Sequence, residues 1–130
     1  MKIDFPKPND QNNELNLNPL NQLEAFCKSF NEFYTGHFFG VITTSSELID
    51  NTTSIISYAF WIDFLKINEF SYRLFELNPT KMDGGYPLTA AAFHGPPEDF
   101  GLINSPNELE TVVNKILNSK RGRFIILSNY

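Results

Sequence analysis

The chain has 130 residues, of which 42% are hydrophobic and 19% charged, and its formal net charge is −5. This length fits one domain and leaves no room for a second. The negative charge repels nucleic-acid phosphates and anionic lipid surfaces, so it argues against nucleic acid and membranes as partners.

The residues from position 1 to the first helix are rich in asparagine and proline. Residues 1–18 are therefore predicted to be a loosely ordered segment, and residues 19–130 to form a single domain. Asn18 and Pro19 suit the N-cap and first position of a helix. Apolar residues then recur at steps of three and four up to Tyr34, which predicts an amphipathic helix that ends at Gly36.

From position 37 the apolar period changes to two, which predicts four strands. The second, over residues 53–64, is apolar on both faces and is predicted to be central; Trp61 lies on the face opposite Phe60. The third alternates a buried face with a wet one. Its buried face is predicted to hold Phe70, Tyr72 and Leu74, and its wet face Glu69, Ser71 and Arg73.

Ser105, Pro106 and Glu108 form a capping box that predicts a second helix. Its predicted end is the basic turn and glycine at 120–122, after which the apolar run 124–127 predicts a short final strand. Together these elements predict an α+β fold, in which two helices pack on a mainly antiparallel four-stranded sheet.

Aromatic residues make up 15% of the chain, and 13 of them are phenylalanine. Phenylalanine has no polar group, so most of this excess is expected to fill the space between helix and sheet. Two aromatic residues are not explained by such packing, namely Trp61 and Phe100, the latter in the loop 95–104.

The sequence contains no P-loop, dinucleotide fingerprint, zinc motif or EF-hand loop, so it indicates no cofactor and no metal and argues against an enzyme. The single cysteine, Cys27, excludes an internal disulfide and lies on the apolar stripe of the first helix, where a core thiol is expected. With no apolar run near position 1 to act as a secretion signal, a cytoplasmic location is expected.

Our first hypothesis is a non-catalytic protein-binding domain, for example an inhibitor or an immunity-type protein that masks another protein. Its candidate binding residues on the strands are Trp61 as an aromatic anchor with Asp63, Glu69 and Arg73 around it. The acidic middle of the chain favours a basic partner. The sequence leaves the partner's identity and the oligomeric state open.

The alternative is a small-molecule pocket or a modest hydrolase. His94, Glu98 and Asp99 place an imidazole and two carboxylates on one loop after the fourth strand, where functional groups often lie. Phe100 follows them directly. A lone histidine with two loop carboxylates does not by itself define a metal site or an acid–base pair.

Overall fold

The helices and strands follow each other in the order predicted, except at the end of the chain. The computed structural model describes residues 18–67, 70–93 and 100–130. Its elements are α1 (Pro19–Phe33), β1 (Phe38–Leu48), β2 (Ser54–Phe64), β3 (Ser71–Pro79), β4 (Leu88–Ala92), α2 (Pro106–Asn118) and α3 (Lys120–Ser128). The predicted α+β class is confirmed; of the predicted lead-in segment, residues 1–18, all but Asn18 lie outside the described residues.

The four strands form one antiparallel sheet in the order β1-β2-β3-β4, so β2 is central, as predicted. Every second residue of β2 faces the helices. Four of these residues are buried, namely Tyr58, Phe60, Ile62 and Phe64. The buried side chains of all three helices belong to the same core cluster. We call the side of the sheet that carries this cluster the inner face and the other side the outer face.

Helix α1 begins where the sequence predicts. The side chain of Asn18 accepts a hydrogen bond from the backbone N–H of Leu20 at 2.9 Å, and Pro19 occupies the first turn. The helix packs on the sheet through aromatic rings. The ring of Phe60 lies 4.9 Å from that of Phe26 and 5.2 Å from that of Phe30, both edge-on. This contact accounts for much of the phenylalanine excess.

Helix α2 also begins where it is predicted. The Ser105 hydroxyl accepts from the backbone N–H of Glu108 at 3.2 Å, and the Glu108 carboxylate accepts from the backbone N–H of Asn104. These two bonds satisfy amide groups that the first turn of a helix leaves without partners. Its apolar stripe, Leu109 to Ile116, is buried.

The predicted final strand at residues 124–127 is wrong, because these residues belong to helix α3. Ser119 ends α2 and begins α3, and its hydroxyl accepts from the backbone N–H of Gly122 at 3.0 Å. Gly122 therefore lies inside α3 and not after α2. A Cβ atom there would lie 2.1 Å from the carbonyl oxygen of Ile116, so only glycine allows so tight a turn between the two helices.

Among the described residues, no helix is long and apolar enough to cross a membrane.

Candidate protein-binding face

The outer face of the sheet carries Trp61, Asp63 and Arg73, three of the strand residues singled out by the sequence. All three helices contribute their buried side chains to the core on the inner face. On the outer face, the described residues of all four strands are half-buried or exposed. A four-stranded sheet with one open face presents a broad and rigid surface. This surface is the candidate site.

Trp61 lies near the middle of the outer face. Its Cα partners are Val41 on β1 and Arg73 on β3, so it has a strand on each side. The indole Nε1–H donates to the hydroxyl oxygen of Thr43 at 2.9 Å. This bond satisfies the only polar group of the indole and fixes the ring's orientation. The ring is half-buried, so part of it stays accessible.

A β-bulge in β3 determines which charges surround Trp61. Trp61 pairs with Arg73, but the preceding residue, Phe60, pairs with Phe75, so Leu74 is one residue extra. In a regular strand, residues three apart point to opposite faces. The extra residue brings Arg73 and Glu76 to the same face, where they form an ion pair at 3.1 Å.

The bulge also corrects the predicted face of β3. Regular alternation predicts Tyr72 and Leu74 on the buried face and the residues next to them on the wet face. Leu74 is fully buried, but so is its neighbour Phe75. From Phe75 onward the residues that face the core include Phe75 and Leu77. The carbonyl of Leu74 accepts from the N–H of Phe93 at 3.0 Å, which ties the bulge to the end of β4.

A carboxylate lies on each side of Trp61 on the outer face. Asp63 is two residues further along β2, and Glu76 lies opposite Ala59, two residues before Trp61. Asp63 accepts a hydrogen bond from the hydroxyl of Ser71, its cross-strand partner. Glu76 is held by Arg73. The carboxylates are thus held in position and acidic side chains outnumber basic ones around the indole.

The structure brings together three of the eight residues predicted to form a site, namely Trp61, Asp63 and Arg73. Phe100 is half-buried and packs against the core, which gives its aromatic ring a structural role. The other four predicted residues lie outside the described residues; they are Glu69, His94, Glu98 and Asp99.

Sequence analysis missed two polar residues of this face, Thr43 and Glu76. Thr43 shares a strand face with Val41, but alternation along one strand does not show which residue of β2 it contacts; the pairing of β1 with β2 brings its hydroxyl to the Trp61 indole. Glu76 could not be predicted from alternation, because strict alternation along β3 places Glu76 and Arg73 on different faces of the sheet. The position of Glu76 follows from the bulge.

Cys27, the single cysteine of the chain, packs against the core. Its thiol donates to the carbonyl oxygen of Gly40 at 3.2 Å, and burial raises its pKa. A thiol that keeps its proton is a poor nucleophile and a poor metal ligand. Among the described residues, no group of three or more histidine, cysteine, aspartate and glutamate side chains is placed to hold a metal ion.

The chain matches no family model, no curated protein and no solved structure in the comparisons made. The site's own geometry therefore carries the functional argument.

Proposed function

We propose that this chain is a non-catalytic protein-binding domain that uses the outer face of its sheet to hold a basic segment of another protein. The observation that carries the proposal is Trp61, a half-buried indole fixed by Thr43 on a sheet face that none of the three helices covers in the described part of the chain. Tryptophan is among the residues most enriched at the energetic centres of protein interfaces. A preformed anchor also loses little side-chain entropy on binding.

The charges around Trp61 favour a basic partner. Asp63 and Glu76 flank the indole, and both are held by neighbours before any partner arrives. A lysine or arginine placed over the ring would gain from the π face and from both carboxylates. The chain's net charge of −5 adds long-range attraction for such a partner.

The narrower form of the proposal is an inhibitor or immunity-type protein that works inside the cell by covering a basic surface of its target. A small acidic domain with a rigid face can act by occupancy alone, without a reaction. The alternative pocket or hydrolase function stays a prediction, because His94, Glu98 and Asp99 lie outside the described residues.

Trp61 also supplies the assay, because it is the only tryptophan of the chain. A peptide that alternates arginine and valine is titrated against the protein while the indole emission is followed. A peptide of the same length that alternates glutamate and valine is the control. We expect a saturable change with the basic peptide only. No change with the basic peptide, or equal changes with both, would refute the charge argument.

Variants then locate the bound peptide. Asp63→Asn combined with Glu76→Gln is expected to weaken binding of the basic peptide about tenfold, because both flanking charges are lost. Glu110→Gln combined with Glu24→Gln removes the same charge from exposed positions of the helices and is the matched control. If both pairs weaken binding equally, net charge is responsible and the outer face is not the site.

A further inference from the structure

The free edge of β1 is half closed and half open. In an antiparallel strand the backbone N–H and C=O groups of alternate residues point away from the neighbouring strand. On β1 these are the even-numbered residues. The N–H of Phe38 donates to the carbonyl of Tyr34 at 3.1 Å, which closes the start of the edge.

Asn31 closes the next position. Its side chain accepts from the N–H of Gly40 at 2.6 Å and donates to the carbonyl of Gly40 at 3.3 Å. One amide side chain of α1 thus occupies both backbone groups, as a neighbouring strand would. Beyond it, the outward backbone groups of Ile42, Thr44, Ser46 and Leu48 have no hydrogen-bond partner among the described residues.

Residues 42–48 also lack the features by which proteins protect a sheet edge. Such edges carry lysine, proline or a bulge, or they are covered. This segment contains one charged residue, Glu47, and pairs with β2 without interruption. The opposite edge of the sheet is different. There Leu88 of β4 exchanges two backbone hydrogen bonds with Ile103, at 2.9 and 2.8 Å.

We propose that the open edge, residues 42–48, pairs antiparallel with the same segment of a second copy of this chain. The pairing that uses all four outward residues has its two-fold axis at Ser45. In it Ile42 lies opposite Leu48 of the second copy, and Thr44 opposite Ser46 of the second copy. It stops at Gly40 because Asn31 already occupies that position.

Side chains in this register are complementary. Leu48, at the end of β1, is 74% exposed. Its side chain would enter the hollow of about 460 Å³ that Ile42 forms with α1, beside Cys27. Leu48 of each copy thus covers Ile42 of the other copy, so the dimer contains this contact twice, once on each side of the axis.

Charge does not oppose this register. Glu47 lies opposite Thr43 of the second copy, so the two Glu47 carboxylates are four residues apart along the strands, about 14 Å. That distance exceeds the screening length of about 8 Å at physiological salt. The resulting sheet would have β1 of both copies at its centre. The inference does not depend on the proposed function, because it uses the edge of the sheet and not its outer face.

Disulfide trapping tests the register. In a Cys27→Ser background, Ser45→Cys faces its own copy across the axis with Cα atoms about 4.5 Å apart, within disulfide range. Glu47→Cys is the matched control on the same face, because its copies lie about 14 Å apart. We expect mild oxidation to link Ser45→Cys into dimers much faster than Glu47→Cys. Equal rates would overturn the register.

Charge variants and mass measurements test the dimer itself. Sedimentation of the unmodified chain over a range of concentrations is expected to show a species of twice 14.9 kDa. Thr44→Lys with Ser46→Lys puts like charges opposite each other and is expected to weaken association about tenfold. Thr44→Lys with Ser46→Glu puts opposite charges there and is expected to retain it. Both positions are exposed, so circular dichroism should show an unchanged fold.

A chain that stays monomeric at every concentration would overturn the proposal. A dimer that both double variants leave equally strong would also overturn it, because the copies would then meet elsewhere.

Discussion

Replacing Gly40 with alanine tests how closely α1 packs on the sheet. Gly40 is buried on the inner face of β1. A Cβ atom there would lie 2.8 Å from Cε2 and Cζ of the Phe60 ring and 3.2 Å from Cδ1 of Phe30. The two distances of 2.8 Å to Phe60 are shorter than carbon–carbon contacts allow, so the ring of Phe60 would have to move.

The magnitude follows from how little room Phe60 has. Its ring is fully buried and lies 4.9 Å from that of Phe26, 5.2 Å from that of Phe30 and 5.4 Å from that of Phe75. Overpacking of this kind costs about 1–3 kcal/mol. Alanine also lowers the conformational entropy of the unfolded chain, and this stabilises the folded state by about 0.4–1 kcal/mol and offsets part of the overpacking cost. Taking the middle of both ranges, we expect Gly40→Ala to lower the free energy of unfolding by about 1.3 kcal/mol.

Urea unfolding followed by Trp61 fluorescence and by circular dichroism measures this change. Gly85→Ala is the matched control, because the nearest atoms there belong to the exposed side chain of Asp83. We expect the control to stay within about 0.5 kcal/mol of the unmodified chain. Combining Gly40→Ala with Phe60→Leu should cost less than the sum of the two single changes, since the smaller side chain relieves the clash. Equal stability of Gly40→Ala and the control would refute the packing argument.

Three further outcomes are expected. Gly122→Ala should lower the free energy of unfolding by about 2–3 kcal/mol, because its Cβ would overlap the carbonyl of Ile116; unchanged urea midpoints would contradict this. Cys27 should react with an aromatic disulfide reagent at neutral pH far more slowly in the folded chain than in urea, since burial raises its pKa; equal rates would contradict this. Burial raises the pKa of Tyr86 from 10.0 to about 12, so the unfolded chain loses this proton first and stability should fall between those pH values; Tyr86→Phe should make that fall shallower in urea titrations.

Local signals predicted the helix starts correctly. At Asn18 and at Ser105 a polar side chain is followed directly by proline, and in both cases the side chain caps the helix. Such caps act within a few residues, so the sequence alone contains the whole interaction. The two faces of β2 were predictable for the same reason, because alternation along one strand needs no knowledge of its neighbours.

Long-range contacts account for the errors. The apolar run from Phe124 to Leu127 favours a strand by composition, but the Ser119 cap and the approach of Gly122 to α2 make it helical. The position of Glu76 depends on the extra residue at Leu74, which is set by pairing with β2. An alternating pattern contains no signal for a bulge of this kind. The error therefore falls on the charged part of the candidate site.

The open face and the open edge have one structural origin, the placement of the helices. All three contribute to the core on the inner face, so within residues 18–67, 70–93 and 100–130 no helix covers Trp61 and its neighbours on the other face. Asn31 of α1 occupies the edge of β1 at Gly40, and beyond it the outward backbone groups have no partner among the described residues. Pairing two copies along β1 would join their outer faces into one surface. The two Trp61 residues would then lie about 30 Å apart, from three strand spacings across the sheet and eight residues along it. A partner with two basic segments could span that distance and bind the dimer more tightly than either copy alone.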